Sequence, residues 1–302
     1  MKKKRTSYDA VLSSLPTNAS LTAFHTLSHI TGLNKKRNRS KYLKASAGLA
    51  VLLASVSSFS ITSTAAQADD TSSSQGGNRT PGVYTDNDNL SVYGVSYNSI
   101  GQIISYKSIY NTGSILFDSG DSKQGRVTVT GLTTNLGTLL IHGGTLADIS
   151  NKAGTATLLR SSAGAVTNEA GATFSATNST IDTATNSGTM TIGKDSSVTK
   201  SVSNEKGTLN LSGTIKGTLD NAATANITGG QVLGTTTSTG TLNASSSNLA
   251  NIINKVSDNS PQTVSTATLL RSSAGAVTNE AGATFSATNS TIDTATNSGD
   301  MT

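Results

Sequence analysis

The stretch Asn186-Ser-Gly-Thr-Met-Thr-Ile192 and the stretch one unit later, Asn204-Glu-Lys-Gly-Thr-Leu-Asn-Leu211, carry the pattern that decides the fold. Each begins with Asn, reaches Gly after one or two intervening residues, and then alternates a polar residue with an apolar one. Alternation places the apolar side chains on one face of a β-strand and the polar side chains on the other. The pattern therefore predicts short strands, each buried on one face, separated by turns at Asn and Gly.

This asparagine recurs along the chain with a regular period. Between Asn135 and Asn221 the successive steps are 16, 17, 18, 18 and 17 residues, and Ser238 continues the register with Ser in place of Asn. Near-identical units in one phase favour a coil in which each turn stacks on the last. We predict an all-β fold, a right-handed parallel β-helix (β-solenoid) with about 17–18 residues per coil. The predicted coil corners are Asn135, Asn151, Asn168, Asn186, Asn204 and Asn221.

Two properties of Asn favour it at such a corner. It adopts left-handed backbone conformations at modest cost, and its amide can bond to like residues along a stack. The alternative for this composition is a disordered stalk rich in Ser and Thr, because low complexity of this type often fails to offset the entropy of ordering.

A longer repeat is an identity. Residues 155–188 recur as residues 266–299, an offset of 266 − 155 = 111. Two identical copies cannot each be tuned to a separate chemistry, so the identity favours a structural array.

Composition excludes several classes of function. Without Cys the chain has no disulfide, thiolate metal site or cysteine nucleophile, and 4% aromatic residues leave little material for a compact globular core. The net charge of +5 comes from the first segment, where Lys2 to Lys44 hold ten Lys or Arg and one acid. From Ala45 onward 22 − 10 = 12 basic residues face 17 − 1 = 16 acidic ones, a balance of 12 − 16 = −4. We therefore expect no nucleic-acid partner and no cofactor.

Residues 1–68 have the order of an extended signal peptide. Lys41 to Lys44 precede a small-apolar run from Ala45 to Phe59, and Ala66 and Ala68 stand directly before an acidic pair. These are the positive region, the apolar stretch and the small-x-small site of a secretory signal, with cleavage expected after Ala68. A helix that spans a bilayer needs about 20 apolar residues. The apolar run here is shorter, which argues against the alternative of a membrane anchor.

Residues 69–125 are predicted to form an N-terminal linker and a cap of the β-helix, ahead of the repetitive segment 126–302. Repeat proteins need a cap that shields the first coil. Tyr is also favoured where surfaces bind other molecules. Cap and binding patch therefore both stay open as roles for the tyrosines that follow the signal peptide: Tyr84, Tyr93, Tyr97, Tyr106 and Tyr110.

Candidate catalytic residues do not form a constellation. Asp118-Ser119-Gly120-Asp121-Ser122 has the wrong order for a serine protease, and the only His after the signal peptide, His142, lies in a coil motif. Polysaccharide lyases cluster charges on one face of a β-helix, whereas the comparable charges here are scattered: Asp182, Lys194, Asp195 and Lys200. We predict no catalytic, cofactor-binding or metal-binding residues, and hence no enzyme.

Phrases such as Asn168-Glu-Ala-Gly-Ala-Thr-Phe174, with the two stretches quoted first, resemble the rung sequences of autotransporter passengers. These are type V secretion proteins of Gram-negative bacteria, of the pertactin-like and AIDA-like kind, and the resemblance covers roughly residues 127–302. It implies export through the inner membrane to the cell surface, the outer membrane or the extracellular space. It also implies a C-terminal or separate outer-membrane β-barrel translocator as a partner.

The chain departs from that family because it has no run of barrel-length amphipathic strands and stops inside a coil at Thr302. We expect a passenger truncated before the β-barrel. The resemblance implies a structural stalk or an adhesin in bacterial adhesion, aggregation or virulence, with host or bacterial surface molecules as partners. Two alternatives stay open: a secreted carbohydrate-active β-helix enzyme, and a passive spacer for a domain beyond residue 302.

Overall fold

The computed structural model describes residues 81–119, 126–257 and 264–302. The predicted signal peptide, with its cleavage residues Ala66 and Ala68, lies outside the described residues. The described part is all-β, contains no helix, and forms a parallel β-solenoid of about 11 turns. The predicted fold class, an all-β parallel solenoid, is confirmed.

Two sheets run along the solenoid, and each regular turn contributes strands to both of them. Sheet 1 contains β1 (Gly82–Asp86), β2 (Asn89–Tyr93), β4 (Ile104–Tyr106), β5 (Ser108–Asn111), β7 (Val127–Asn135), β9 (Thr145–Asn151), β11 (Ser162–Asn168), β13 (Thr180–Asn186), β15 (Ser197–Asn204), β17 (Thr214–Ile215), β18 (Thr218–Asn221), β20 (Gln231–Ser238), β22 (Asn248–Asn254), β24 (Ser273–Asn279) and β26 (Thr291–Asn297). Sheet 2 contains β3 (Ser96–Ile100), β6 (Ser114–Asp118), β8 (Thr138–His142), β10 (Thr155–Leu159), β12 (Thr173–Thr177), β14 (Thr189–Ile192), β16 (Thr208–Leu211), β19 (Thr224–Thr228), β21 (Thr241–Ser245), β23 (Thr266–Leu270), β25 (Thr284–Thr288) and β27 (Asp300–Met301).

Strands of neighbouring turns pair in parallel and in register. β10 lies between β8 and β12, so Ala156 is beside Leu139 on one side and Phe174 on the other. Among the described strands, only β1 pairs antiparallel, with β2. Because the register repeats, a position that faces inward in one turn faces inward in the next.

The core is a stack of small and medium apolar side chains between the two sheets. Phe174 is fully buried, and its register neighbours in the turns before and after are Ala156 and Met190. Beside it, Ala176 lies between Leu158 and Ile192. Large side chains and small ones are therefore combined in neighbouring turns, as with Phe174 and Ala156, and together they fill the interior although the chain has few aromatic residues.

Several strands of sheet 1 bend near their middle. The register shifts between Ile181 and Thr183 where β13 pairs with β15, and at the corresponding place in a later turn β17 is separate from β18. Gly217 stands at this place, where a Cβ would collide with the carbonyl oxygen of Lys200 in the preceding turn. Glycine is therefore required here by the close approach of two backbones.

The solenoid begins before residue 126. β3 already pairs in parallel with β6, through Tyr97 and Ile115, and β2 pairs in parallel with β5. β1 folds back along β2 and covers the edge of sheet 1 at this end. Residues 82–118 thus hold both a covering strand and the first turns of the coil.

Two neighbouring leucines in β23 provide a matched test of the inward and outward faces. Leu269 is 0% exposed, whereas Leu270 is 37% exposed. We expect Leu269→Ala to lower the free energy of unfolding by about 2–5 kcal/mol, because it leaves a cavity in the core. We expect Leu270→Ala to change it by roughly 1 kcal/mol or less. Urea unfolding followed by circular dichroism measures both, and equal losses would contradict the assigned faces.

Candidate functional site

The predicted corner asparagines form a buried ladder. Each is the last residue of a strand in sheet 1, and its Nδ2 donates a hydrogen bond to the side chain of its counterpart in the next turn. The bonds between successive asparagines are 2.7–2.9 Å long, and the ladder already starts at Asn111. Its six predicted members are Asn135, Asn151, Asn168, Asn186, Asn204 and Asn221.

The surroundings of Asn186 show how such an amide is satisfied. Its Nδ2 also approaches the carbonyl oxygens of Gly188 and Thr208, both at 3.1 Å. Its Oδ1 accepts from the backbone N–H of Gly188 at 3.2 Å and from Asn168 at 2.9 Å. Donors and acceptors are paired within the protein, as buried polar groups require, so the ladder holds the fold rather than a ligand.

One physical reason given for Asn at these corners is wrong. In the described chain the non-glycine residues with positive φ do not include the six corner asparagines. They lie elsewhere, for example at Arg160 (φ 49°) and Asn178 (φ 50°). Asn occupies the ladder because of its amide, and not because of a left-handed backbone.

The ladder changes its chemistry at Ser238. Asn221 Nδ2 donates to Ser238 Oγ at 3.1 Å. The connection to the next turn involves Ser265, whose Oγ lies 3.1 Å from the carbonyl oxygen of Ser238 and 2.6 Å from Oδ1 of Asn254. Ser265 is fully buried and comes from the longer segment between β22 and β23. A side chain from that segment thus bridges the place where an asparagine is missing.

We expect the buried ladder to be far more sensitive to substitution than the asparagines on the outer face. Asn186→Ala should lower the free energy of unfolding by about 2–4 kcal/mol, because it leaves buried polar groups of two turns unpaired. The control is Asn243→Ala, which removes an exposed bond of 3.0 Å to Asn226 on sheet 2. The control should cost about 1 kcal/mol or less. Thermal unfolding of both variants checks this, and a control as damaging as Asn186→Ala would refute it.

A second ladder, which was not predicted from the sequence, runs along the other corner, where the chain leaves sheet 2 for sheet 1. Here a residue with positive φ is followed by a buried serine, as at Arg160 and Ser161. The N–H of Ser161 donates to Oγ of Ser179 at 3.1 Å, and the N–H of Ser179 donates to Oγ of Ser196 at 3.2 Å. The signal was a serine at the same period of 17 or 18 residues, hidden because Ser is frequent throughout the chain.

His142 belongs to a three-residue cluster on the outer surface. Its Nδ1 lies 2.7 Å from Oδ1 of Asp118, and Nε of Arg160 donates to its Nε2 at 2.8 Å. The imidazole side chain is 17% exposed. Arg160 thus occupies the ring nitrogen that a general base would offer to a nucleophile. Residues 120–125, which include part of the Asp-Ser motif, lie outside the described residues.

The scattered charges considered for a lyase are only partly brought together. Lys200 Nζ lies 3.1 Å from Oδ2 of Asp182, and Thr199 Oγ1 donates to Oδ1 of the same carboxylate at 2.9 Å. The hydrogen bond from Lys200, then that from Thr199, lowers the pKa of Asp182. Asp195 lies at the second corner, with φ 62°. An exposed ion pair of this kind suits a solvated face better than a catalytic centre.

The tyrosines divide into an inner and an outer group. Tyr97 and Tyr106 share a hydrogen bond of 2.9 Å between their hydroxyls, and both pack against Phe117 with ring centroids 5.9 and 6.0 Å away. Tyr84, Tyr93 and Tyr110 instead form a row on the surface. Their ring centroids are 5.8 and 5.6 Å apart along the row, and Tyr110 is 37% exposed. The first group serves packing, whereas the second reaches the surface at Tyr110.

The inner tyrosines should make the protein sensitive to alkali. Burial, and then the hydrogen bond with Tyr97, raises the pKa of Tyr106 well above its ordinary value. The stability that this provides is complete below the unfolded value of about 10 and is lost as the pH rises toward the folded value. We expect Tyr106→Phe to reduce the loss of stability between about pH 8 and about pH 11. Tyr110→Phe, on the surface, should leave this pH-dependent loss of stability unchanged. The change in the urea unfolding midpoint between the two pH values, measured for each variant, checks both expectations.

Comparisons with known proteins give no match, whether to protein-family models, to curated proteins or to solved structures. Among the described residues there is no group of three or more His, Cys, Asp or Glu able to hold a metal ion. Nor does this part of the chain contain a helix that could cross a membrane. The functional interpretation therefore depends on the geometry of the solenoid and its surface.

Proposed function

We propose that the chain is the passenger segment of an autotransporter of the pertactin-like and AIDA-like kind, acting at the cell surface as a structural stalk or adhesin. The observation that carries the proposal is the parallel solenoid of the described residues, with a buried apolar core and outer positions occupied largely by Thr, Ser and Asn. About 11 turns at about 4.8 Å each give the described solenoid a length on the order of 50 Å. Such a rod projects a surface away from its point of attachment.

The surface chemistry supports adhesion more than catalysis. Among the described residues, His142 is bound on both ring nitrogens, to Asp118 and to Arg160, and not to a serine hydroxyl. Tyr110, which is 37% exposed, supplies aromatic area of the type that is enriched in binding interfaces. We propose host or bacterial surface molecules as the partners of the solenoid surface around Tyr110.

Surface display tests the proposal. The full chain is joined ahead of an unrelated outer-membrane translocator and produced in non-adherent Gram-negative cells. We expect antibodies to label intact cells, and the cells to attach or aggregate more than cells with the translocator alone. Tyr110→Ser should weaken attachment, whereas Tyr97→Phe, in the inner group, should not. Display without attachment would favour the passive spacer, and failure of display would contradict the passenger role.

The same cells test the predicted export signal. N-terminal sequencing should find Asp69 as the first residue of the exported chain. Ala68→Arg should block cleavage, because the position before the cut needs a small residue, whereas Gln67→Arg between the two alanines should be tolerated. Cleavage that continues in Ala68→Arg would place the processing site elsewhere.

A further inference from the structure

A polar groove lies along the second corner near the second copy of the exact repeat. It has a volume of about 360 Å³ and crosses four consecutive turns. Every residue that lines it is polar or glycine, and none carries a carboxylate. The side chains that give it its chemistry are Gln231, Asn248, Arg271, Ser273, Asn289 and Thr291.

Arg271 is the only charged residue among those lining the groove. Within residues 81–119, 126–257 and 264–302 its side chain has no hydrogen bond and no ion pair, and its backbone is held at φ 51°. Asn248 Oδ1 accepts from Ser273 Oγ at 3.2 Å, which leaves the NH₂ of the amide for another acceptor. The groove therefore offers a guanidinium and amide donors in an open, hydrated setting.

The first copy of the repeat supplies an internal comparison. Arg160 has the same position in an identical block, but its guanidinium is bound to His142. His142 stands in register with Leu159, and the residue in register with the equivalent Leu270 is Ser245. A histidine in the neighbouring turn thus binds the guanidinium of Arg160, whereas the serine at the equivalent position does not bind that of Arg271, although the two blocks have the same sequence.

The shape and lining of the groove indicate the class of ligand. Drug-like and cofactor pockets are mainly apolar and enclose their ligand, whereas this groove has neither property. Three steps between four turns give it a length of about 14 Å, which exceeds a single small anion. A chain of hydroxylated units with an anionic group matches the amides and the guanidinium.

We propose that the groove binds an acidic saccharide, whose carboxylate or sulfate pairs with Arg271 and whose hydroxyls bond to Asn248, Asn289 and their neighbours. The inference rests on the proposed surface role, for which it names a class of ligand. The saccharide is bound and not cleaved, because no acid or base lines the groove.

Calorimetry on the purified 302-residue chain tests the proposal with three probes: oligogalacturonate, dextran sulfate and neutral dextran. We expect one or both of the acidic probes to bind and neutral dextran not to bind. Comparison of oligogalacturonate with dextran sulfate shows whether the groove accepts a carboxylate, a sulfate or both. Arg271→Gln should weaken binding about tenfold or more, because a charge-assisted bond is lost. Arg160→Gln, the matched control in the first copy, should bind like the unmodified chain. Unchanged binding by Arg271→Gln, or an equal loss in Arg160→Gln, would overturn the proposal.

Substitution of the neighbouring residue gives a second test. Ser245→His should place an imidazole beside Arg271 and weaken saccharide binding, because Ser245 stands where His142 stands in the first copy. Circular dichroism verifies that the variant folds, and a folded Ser245→His chain with unchanged affinity would contradict the comparison of the two copies. The two proposals can fail separately. If the unmodified purified chain binds none of the three probes but displayed cells carrying Arg271→Gln still attach, the groove proposal is rejected and the surface role is not.

Discussion

The buried asparagine ladder is the constraint on which the rest of the solenoid depends. An amide sealed from water must find partners for both its NH₂ and its oxygen, and here those partners come from the turns on either side. A slip of one residue would separate each amide from its counterpart in the next turn and would also turn the apolar face outward. The ladder thus couples the register of the backbone to the composition of the core, and it explains how a chain with so few aromatic residues adopts one structure.

The regular turns were predictable because their signals are local. Alternation at Met190 and Ile192 identifies the inward face, and the period of the asparagines identifies the turn. The corner with the serine ladder was not predicted, because nothing in the sequence around Ser161 and Ser179 distinguishes them from exposed serines. The division of the tyrosines was equally hidden, because Tyr93 and Tyr97 lie in the first turns, whose unequal lengths prevent extrapolation of the phase.

The two copies of the repeat show a limit of local reasoning. Arg160 and Arg271 have identical sequence neighbours on both sides, yet one is bound to a histidine and the other faces an open groove. The difference comes from the preceding turn, which supplies His142 beside one arginine and Ser245 beside the other. These residues are separated from the arginines along the chain and come next to them only through strand pairing. In a solenoid, the surface chemistry of a turn is therefore set by the order of turns as much as by the turn itself. Duplicated blocks can differ in binding without differing in sequence.

The parallel stacking of strands also determines how the molecule responds to a pulling force. Its backbone hydrogen bonds run along the solenoid axis, so tension applied at the two ends loads them one row at a time instead of shearing many rows together. Each detached turn releases about 17 residues, which extend to about 60 Å where the folded turn occupied about 5 Å. The ladder at each corner sets a similar threshold for every turn. A solenoid built in this way lengthens in steps under load, and each step limits the force transmitted along its axis.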